Sequence, residues 1–331
     1  MENQNLIIVG GSGFIGSRLC KRLSHRDDID FRIFDKAPSF AFSEKVSLID
    51  IRTPLLNQKV LNCTSIVNLA AEHRDDVFPL SLYHEVNVIG AENICNFARE
   101  QNIKQIIFTS SVAVYGFAPV DTDERGLIAP FNEYGKTKWA AEEVYRKWYL
   151  EDTARSLVVI RPTVVFGEQN RGNVYNLLRQ IASGKFVMIG PGKNRKSMAY
   201  VENVAAFIEY SLKLGAGVHI FNYIDKPDLT MNALISRVKY LVGLSPKIRI
   251  RLPVWVGLFI GKLFDFLGGI SGKKFSISAI RVQKFCSDSA YLSKVVSTGF
   301  IAPVPLLQAI DNTVKYEFLD TNSPSVVFYT E

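Results

Sequence analysis

Tyr134 and Lys138 lie four residues apart in Tyr134-Gly135-Lys136-Thr137-Lys138, a spacing that puts both side chains on one face of a helix. A tyrosine phenol, with an ordinary pKa of about 10, is a poor base at neutral pH. A lysine ammonium beside it favours the phenolate, and such a pair can move a proton to and from a substrate hydroxyl. Upstream, Thr109-Ser110-Ser111 closes an apolar run, where the Ser111 hydroxyl can hold the reacting oxygen. The spacing alone also describes an ordinary pair on a helix surface, so its setting must decide.

That setting is a glycine turn near the start of the chain. Val9-Gly10-Gly11-Ser12-Gly13-Phe14-Ile15-Gly16 joins an apolar strand to a helix. Glycines here permit a tight turn and let backbone approach a pyrophosphate at the helix N-terminus. Asp35 closes the next strand, 19 residues after Gly16. A carboxylate there binds the adenosine ribose hydroxyls and repels a 2′-phosphate, which favours NAD over NADP. Gly10, Gly13, Phe14, Ile15 and Gly16, with Asp35 and its neighbour Lys36, are the expected cofactor contacts in this part.

The elements that must position these residues alternate. Apolar β-branched runs predict strands over 6–9, 31–35, 46–50, 65–71, 105–110 and 157–161. Amphipathic stretches predict helices over 14–23, 84–100 and 134–150. This alternation predicts an α/β chain: a doubly wound parallel sheet with helices on both faces. After Pro162 loops lengthen and polar residues cluster, so we expect a dinucleotide-binding domain over 1–162 and a smaller α/β substrate-binding lobe over 163–331. A strand over 219–224 is expected to return to the main sheet.

Composition bounds the rest. The chain has 331 residues, of which 47% are hydrophobic and 21% charged, a globular mix and not a disordered one. Cys20, Cys63, Cys95 and Cys286 are scattered, with no CxxC and no Cys/His cluster, so neither a metal site nor a disulfide framework is expected. A reducing compartment suits them. The start, Met1 to Asn5, is polar and runs straight into a strand, so we expect no signal peptide and a cytoplasmic protein. The net charge of +7 points to an anionic partner, a diphosphate or an acidic membrane surface. The basic residues are dispersed without a nucleic-acid motif, so no nucleic-acid partner is expected. Residues 252–270 are the most apolar of the chain but contain Lys262 and Asp265. A spanning helix needs about 20 apolar residues, so we expect either a buried helix of the second lobe or an interfacial one. Lys273 and Lys274 just beyond would suit a membrane surface.

With its glycine turn, its Ser111 stretch and its Tyr134/Lys138 pair, the chain resembles the extended short-chain dehydrogenase/reductases, the group of sugar-nucleotide epimerases and dehydratases built on the Rossmann fold. The resemblance implies roles residue by residue. Ser111 matches the serine that orients substrate, Tyr134 the catalytic tyrosine, and Lys138 the lysine that also grips the nicotinamide ribose. Asp50 and Ile51 match the adenine contacts, and Leu69, Ala70 and Ala71 the stretch beside pyrophosphate and ribose. Asn87 matches the asparagine of an NVxG stretch. Ser110, and Arg161 with Thr163 in Arg161-Pro162-Thr163, match strand ends beside the cofactor. Homodimers are common in that group.

Two departures bear on substrate. Nucleotide-sugar enzymes of this kind commonly have asparagine where Val164 stands, and arginine where Lys196 stands. Moreover, 71–77, 170–178, 196–201 and 225–229 resemble the subgroup of bacterial 4-epimerases acting on N-acetylglucosamine linked through diphosphate to undecaprenol. That resemblance implies C4 epimerisation to N-acetylgalactosamine through a 4-keto sugar, in O-antigen or other surface polysaccharide synthesis. It implies a peripheral position on the cytoplasmic face of the inner membrane, and substrate contacts at Arg74, Asn173, Lys196 and Arg281. The alternatives are a UDP-N-acetylglucosamine or UDP-glucose 4-epimerase and an NAD(P)H-dependent 4-keto-sugar reductase. A dehydratase fits less well, because Val112 and Ala113 follow Ser111 where it needs an acid–base pair.

Overall fold

In the computed structural model, which describes residues 4–55, 62–74, 77–271, 278–322 and 326–329, the first strand explains the architecture. Leu6, Ile7, Ile8 and Val9 are all buried. Leu6 and Ile8 enter one apolar core, with Leu19, Leu23 and Phe207. Ile7 and Val9 enter another, with Ile94, Phe97 and Trp148. Successive side chains of a strand point to opposite faces, so an unbroken apolar run demands cover on both sides.

The elements follow in order. Strands β1 (Gln4–Val9), β2 (Ile29–Asp35), β3 (Val46–Leu48), β4 (Cys63–Asn68), β5 (Gln105–Thr109) and β6 (Ser156–Pro162) alternate with helices. These are α1 (Phe14–Leu23), α2 (Ser81–His84), α3 (Gly90–Glu100) and α4 (Glu133–Leu150). A π-helical turn, Glu85–Ile89, joins α2 to α3, so the helix expected from 84 begins earlier and is wider for one turn. The strands expected to reach 50 and 71 stop at Leu48 and Asn68, and the residues beyond them form the rim of a cleft.

The second part adds β7 (Val164–Phe166), α5 (Asn173–Ala182), β8 (Met188–Ile189), β9 (Arg195–Tyr200), α6 (Val201–Ser211), β10 (Gly217–Tyr223), β11 (Asp225–Thr230) and α7 (Met231–Leu241). It closes with β12 (Arg251–Leu252), α8 (Val254–Ser271), α9 (Ala279–Cys286) and α10 (Leu306–Phe318). The large sheet runs β10-β6-β5-β4-β1-β2-β3, and every pairing in it is parallel. The strand order reverses at β1 and β4, where doubly wound sheets open a crevice at their carboxyl ends. Besides β10, α6 also returns to the large sheet, packing on α1 through Val204, Phe207 and Ile208. The remaining lobe is a small β11-β9-β7 sheet and a core shared by α5, α7 and α10. No described helix is long and apolar enough to cross a membrane.

Candidate active site

A cleft of about 1480 Å³ opens over the carboxyl ends of β1 and β4 and runs between the two parts of the chain. That exceeds the ~300–1,000 Å³ of a site for one small ligand, so there is room for a dinucleotide and a second molecule. Its floor is the glycine turn. Gly10 has φ +78°, and a Cβ on it would lie 2.6 Å from the Ala70 backbone nitrogen. A Cβ on Gly16 would meet the Gly10 carbonyl oxygen at 2.4 Å. Both positions therefore exclude any larger residue.

The cofactor expected from sequence fits this floor. Gly13 caps α1 without a side-chain hydrogen bond, so the first amides of that helix stay open to a phosphate. The Asp35 carboxylate is fixed at the end of β2 by the Ser12 and Ala37 amides, each at 3.0 Å. Gly10, Gly13, Phe14, Ile15, Gly16, Asp35, Lys36, Asp50, Ile51, Leu69, Ala70, Ala71, Ser110 and Thr163 all line the cleft. The Asp50 carboxylate accepts from the Arg52 guanidinium and amide, which lower its pKa. Among the described residues no group of three His, Cys, Asp or Glu side chains is placed to hold a metal.

Two expected cofactor contacts stand behind the cleft wall and do not line it. Asn87, buried on the π-helical turn, bonds the Glu72 amide and carbonyl and the Thr137 hydroxyl, at 2.9, 3.0 and 3.0 Å. It fastens the segment after β4 to α4. Arg161 is 1% exposed and is engaged by Glu142, with Nε at 2.8 Å and Nη2 at 2.6 Å from the carboxylate oxygens. Its Nη1 donates to the Tyr115 hydroxyl at 2.6 Å. β6 is buried throughout, so this arginine needs an internal counter-charge and has none to spare for a ligand.

The catalytic candidates converge. Asn132 caps α4 by accepting from the Gly135 amide at 2.9 Å, which sets Tyr134 in the first turn and Lys138 one turn on. Ser111 caps the short 3-10 turn Val112–Tyr115, accepting from the Ala113 amide at 3.1 Å. A Cβ on Gly135 would meet the Ala113 carbonyl oxygen at 2.6 Å, so glycine there lets the Ser111 turn close on α4. The Ser111 side chain lies near enough to the Tyr134 phenol to lower its pKa, and all three candidates line the cleft.

Their electrostatics in the protein alone are set by burial. Burial pushes the Tyr134 phenol up to about 12, against the lowering effect of Ser111. Burial also brings the Lys138 ammonium down to about 7, while Glu142 attracts the proton. Lys138 Nζ stands over the Phe108 ring, 4.3 Å from its centroid. In the protein alone, desolvation outweighs any help the lysine gives the phenolate. A consequence is testable. Between about 7 and the ordinary lysine value of 10.5, the unfolded chain keeps a proton on Lys138 that the folded chain has lost. Stability then rises with pH at up to about 1.4 kcal/mol per unit. The melting temperature of cofactor-free protein should climb relative to that of Lys138→Met protein as pH rises through this window. A constant difference would sink the assignment.

The expected substrate contacts fare unequally. Arg74, Asn173 and Arg281 line the cleft and are exposed. Arg74 pairs loosely with Glu72 at 3.4 Å; Asp75 and Asp76, the partners the sequence offers, lie outside the described residues. Lys196 also lines the cleft, but its ammonium donates to the Lys284 and Ser287 carbonyls, each at 2.7 Å, and to Ser289 Oγ at 3.1 Å. It binds the C-terminal end of α9 to β9, and its three protons are spoken for. Lys284, in a basic run with Arg281, also lines the cleft, with its ammonium 5.1 Å from the Phe131 ring centroid.

Sequence reading missed Glu142. It is fully buried, takes Arg161 on both oxygens and accepts from Ser110 Oγ at 2.6 Å. Its signal was positional: it lies four residues beyond Lys138 and eight beyond Tyr134, on the same face of α4.

Comparison with known proteins gives one consistent answer. The model of the NAD dependent epimerase/dehydratase family matches residues 6–222. The N-acetyl-alpha-D-glucosaminyl-diphospho-ditrans,octacis-undecaprenol 4-epimerase of Escherichia coli O157:H7 is 47% identical, over 99% of this chain and 100% of that one. A UDP-glucose 4-epimerase of Vibrio cholerae is 26% identical over 79% of this chain and 82% of its own. Among solved structures, the UDP-glucuronic acid 4-epimerase of Bacillus cereus in complex with NAD superposes with a TM-score of 0.73 at 17% identity, covering 95% of this chain and 96% of that one; this likeness speaks for the fold. The chain belongs to the NAD-dependent epimerase/dehydratase family, and NAD is its cofactor.

Proposed function

We propose that this enzyme inverts C4 of N-acetylglucosamine joined through diphosphate to undecaprenol, giving the N-acetylgalactosamine epimer by way of a 4-keto sugar. The observation that carries this reading is the end-to-end likeness, at 47% identity, to the Escherichia coli relative of that named activity. The cleft supports it. Phe117, Val120, Phe131 and Val164 line it, yet each is at least 41% exposed. Phe117 stacks on Phe131 with centroids 4.6 Å apart. Val164 replaces the amide that a nucleotide-sugar enzyme commonly offers. An open apolar wall beside cationic Lys284 suits a diphosphate that continues into hydrocarbon better than one that continues into a nucleoside.

In the mechanism, the Tyr134 phenolate accepts the 4-hydroxyl proton as the carbonyl forms and gives it back when the carbonyl is reduced. Ser111 donates to the reacting oxygen, and Lys138 supplies positive charge near the phenolate. The glycine turn, Asp35 and Lys138 would hold NAD, which would supply the hydride acceptor and donor and a positive ring that favours the phenolate. Between the half-reactions the sugar must turn. Arg74, Arg281 and Lys284 hold the diphosphate at the rim, while Val112, Ala113 and Thr163 offer the sugar few anchors. Residues 1–162 thus serve the cofactor, and 163–331 mainly the substrate. The resemblance to the family supports a homodimer, which a solution mass measurement tests. The lipid carrier supports a peripheral place on the cytoplasmic face of the inner membrane.

The test is to offer purified enzyme, without added NAD, both the undecaprenyl-linked sugar and UDP-N-acetylglucosamine. Conversion of the lipid-linked sugar, at least tenfold faster, is expected. Conversion of the nucleotide sugar alone would discard the lipid carrier. A strict need for added NADH would point to a reductase.

A further inference from the structure

Helix α8 has two unlike faces. At about 100° per residue, Val254, Gly257, Gly261 and Asp265 fall on one side. A Cβ on Gly257 would lie 2.7 Å from the Ile189 side chain and 3.2 Å from that of Val282. One on Gly261 would lie 2.6 Å from the Ala279 backbone nitrogen. These glycines let α8 lie close against α9. Asp265, the one acid of 247–266, is exposed on the α9 side, where its carboxylate accepts from the Ala279 amide at 3.0 Å.

The opposite face holds Trp255, Phe259, Lys262, Leu263 and Phe266 within about 100° of arc. Trp255 is 72% exposed, Phe259 66%, Leu263 47% and Phe266 65%. Large apolar side chains seldom line up in the open on a soluble surface. The segment that feeds the helix adds exposed Lys247, Arg249 and Arg251, with Ile250 exposed among them. Residues 247–266 thus carry four basic side chains and one acid, and that acid caps α9. Lys273 and Lys274 lie outside the described residues.

We propose that the Trp255–Phe259–Leu263–Phe266 face is a membrane-docking surface that lies in the headgroup layer of an anionic bilayer. Apolar side chains with flanking cations are what an interfacial helix presents, and Lys262 can extend its ammonium to the phosphates while its stem covers apolar surface. The charge selects this occupant over a second copy of the chain, which would bring the same cations to the same face. Position adds to the argument: α8 packs on α9, and Arg281, Lys284 and Phe285 of α9 line the cleft. The docked helix therefore stands one helix away from the cleft wall. This extends the lipid-linked reading by naming the face that meets the membrane.

The experiment needs no substrate, so it succeeds or fails apart from that reading. NAD-loaded enzyme is mixed with vesicles of phosphatidylcholine alone or with phosphatidylglycerol added. Trp148 is buried and Trp139 half-buried, so Trp255 reports on the surface. Its emission should move to the blue, and the protein should sediment with the anionic vesicles, less so in high salt. Phe259→Ser with Leu263→Ser should weaken binding on the order of tenfold or more, while turnover of a short-chain, water-soluble diphosphate-linked sugar stays at the wild-type rate. Equal binding to both vesicle types, an unmoved Trp255 emission, or unchanged binding by the double variant each overturns the proposal. A double variant that turns a dimer into a monomer overturns it in favour of a second copy of the chain.

Discussion

Tyr134→Phe is expected to lower kcat by roughly 10²–10⁴-fold, the usual worth of a positioned proton-transfer group, with little change in KM. The phenol lines the cleft beside Ser111, whose side chain favours its ionised form. Removing one oxygen leaves the ring's packing, so NAD content and melting temperature should stay near wild type. A second readout separates proton transfer from mere positioning. In the protein alone the phenol is pushed up to about 12, too high for a base at neutral pH. Loading with oxidised NAD must bring it down, so ultraviolet difference absorbance should show tyrosinate appearing at lower pH in loaded than in unloaded enzyme. The difference should vanish in Tyr134→Phe. A variant that keeps wild-type turnover would remove Tyr134 from the chemistry.

Which parts of this site were legible in the sequence follows from how locally each is specified. The glycine turn was readable because Gly10 and Gly16 answer to backbone contacts a few residues away and to the neighbouring strand end. Tyr134 and Lys138 were readable because helical spacing alone puts them together. The internal partners of Arg161 and Lys196 were not legible, because a cation near a cleft carries no sign in the sequence of the groups that will hold it. Those partners, Glu142 for Arg161 and the α9 carbonyls for Lys196, come from other elements. The setting of Asn87 was not legible, because nothing in NVxG announces a π-helical turn. The two faces of α8 were latent in the spacing 255, 259, 263, 266 against 257, 261. Total apolarity hid them, and only the position of α9 says which face is covered.

Glu142→Ala should cost roughly 3–5 kcal/mol of stability, because removing one partner strands a buried charge. Arg161 would keep the Tyr115 hydroxyl and the distant Glu124 carbonyl, neither of which carries formal charge. Chemical denaturation of the NAD-free protein measures this. Joint replacement, Glu142→Leu with Arg161→Met, should recover most of the loss, since a well-packed apolar pair often equals a buried ion pair. If the double variant is as unstable as the single one, the carboxylate does more than neutralise Arg161. The same carboxylate also reaches the chemistry without touching substrate. It accepts from Ser110 Oγ beside Ser111, and its charge holds the Lys138 proton against burial. Glu142→Gln keeps the shape and removes the charge, so the Lys138 value should fall below about 7. The pH profile separates the two roles. If Glu142 is only structural, a variant that still folds keeps the wild-type profile at a lower amplitude. If it positions charge as the geometry indicates, loss of the Lys138 proton moves to lower pH, and kcat at neutral pH falls more than KM changes.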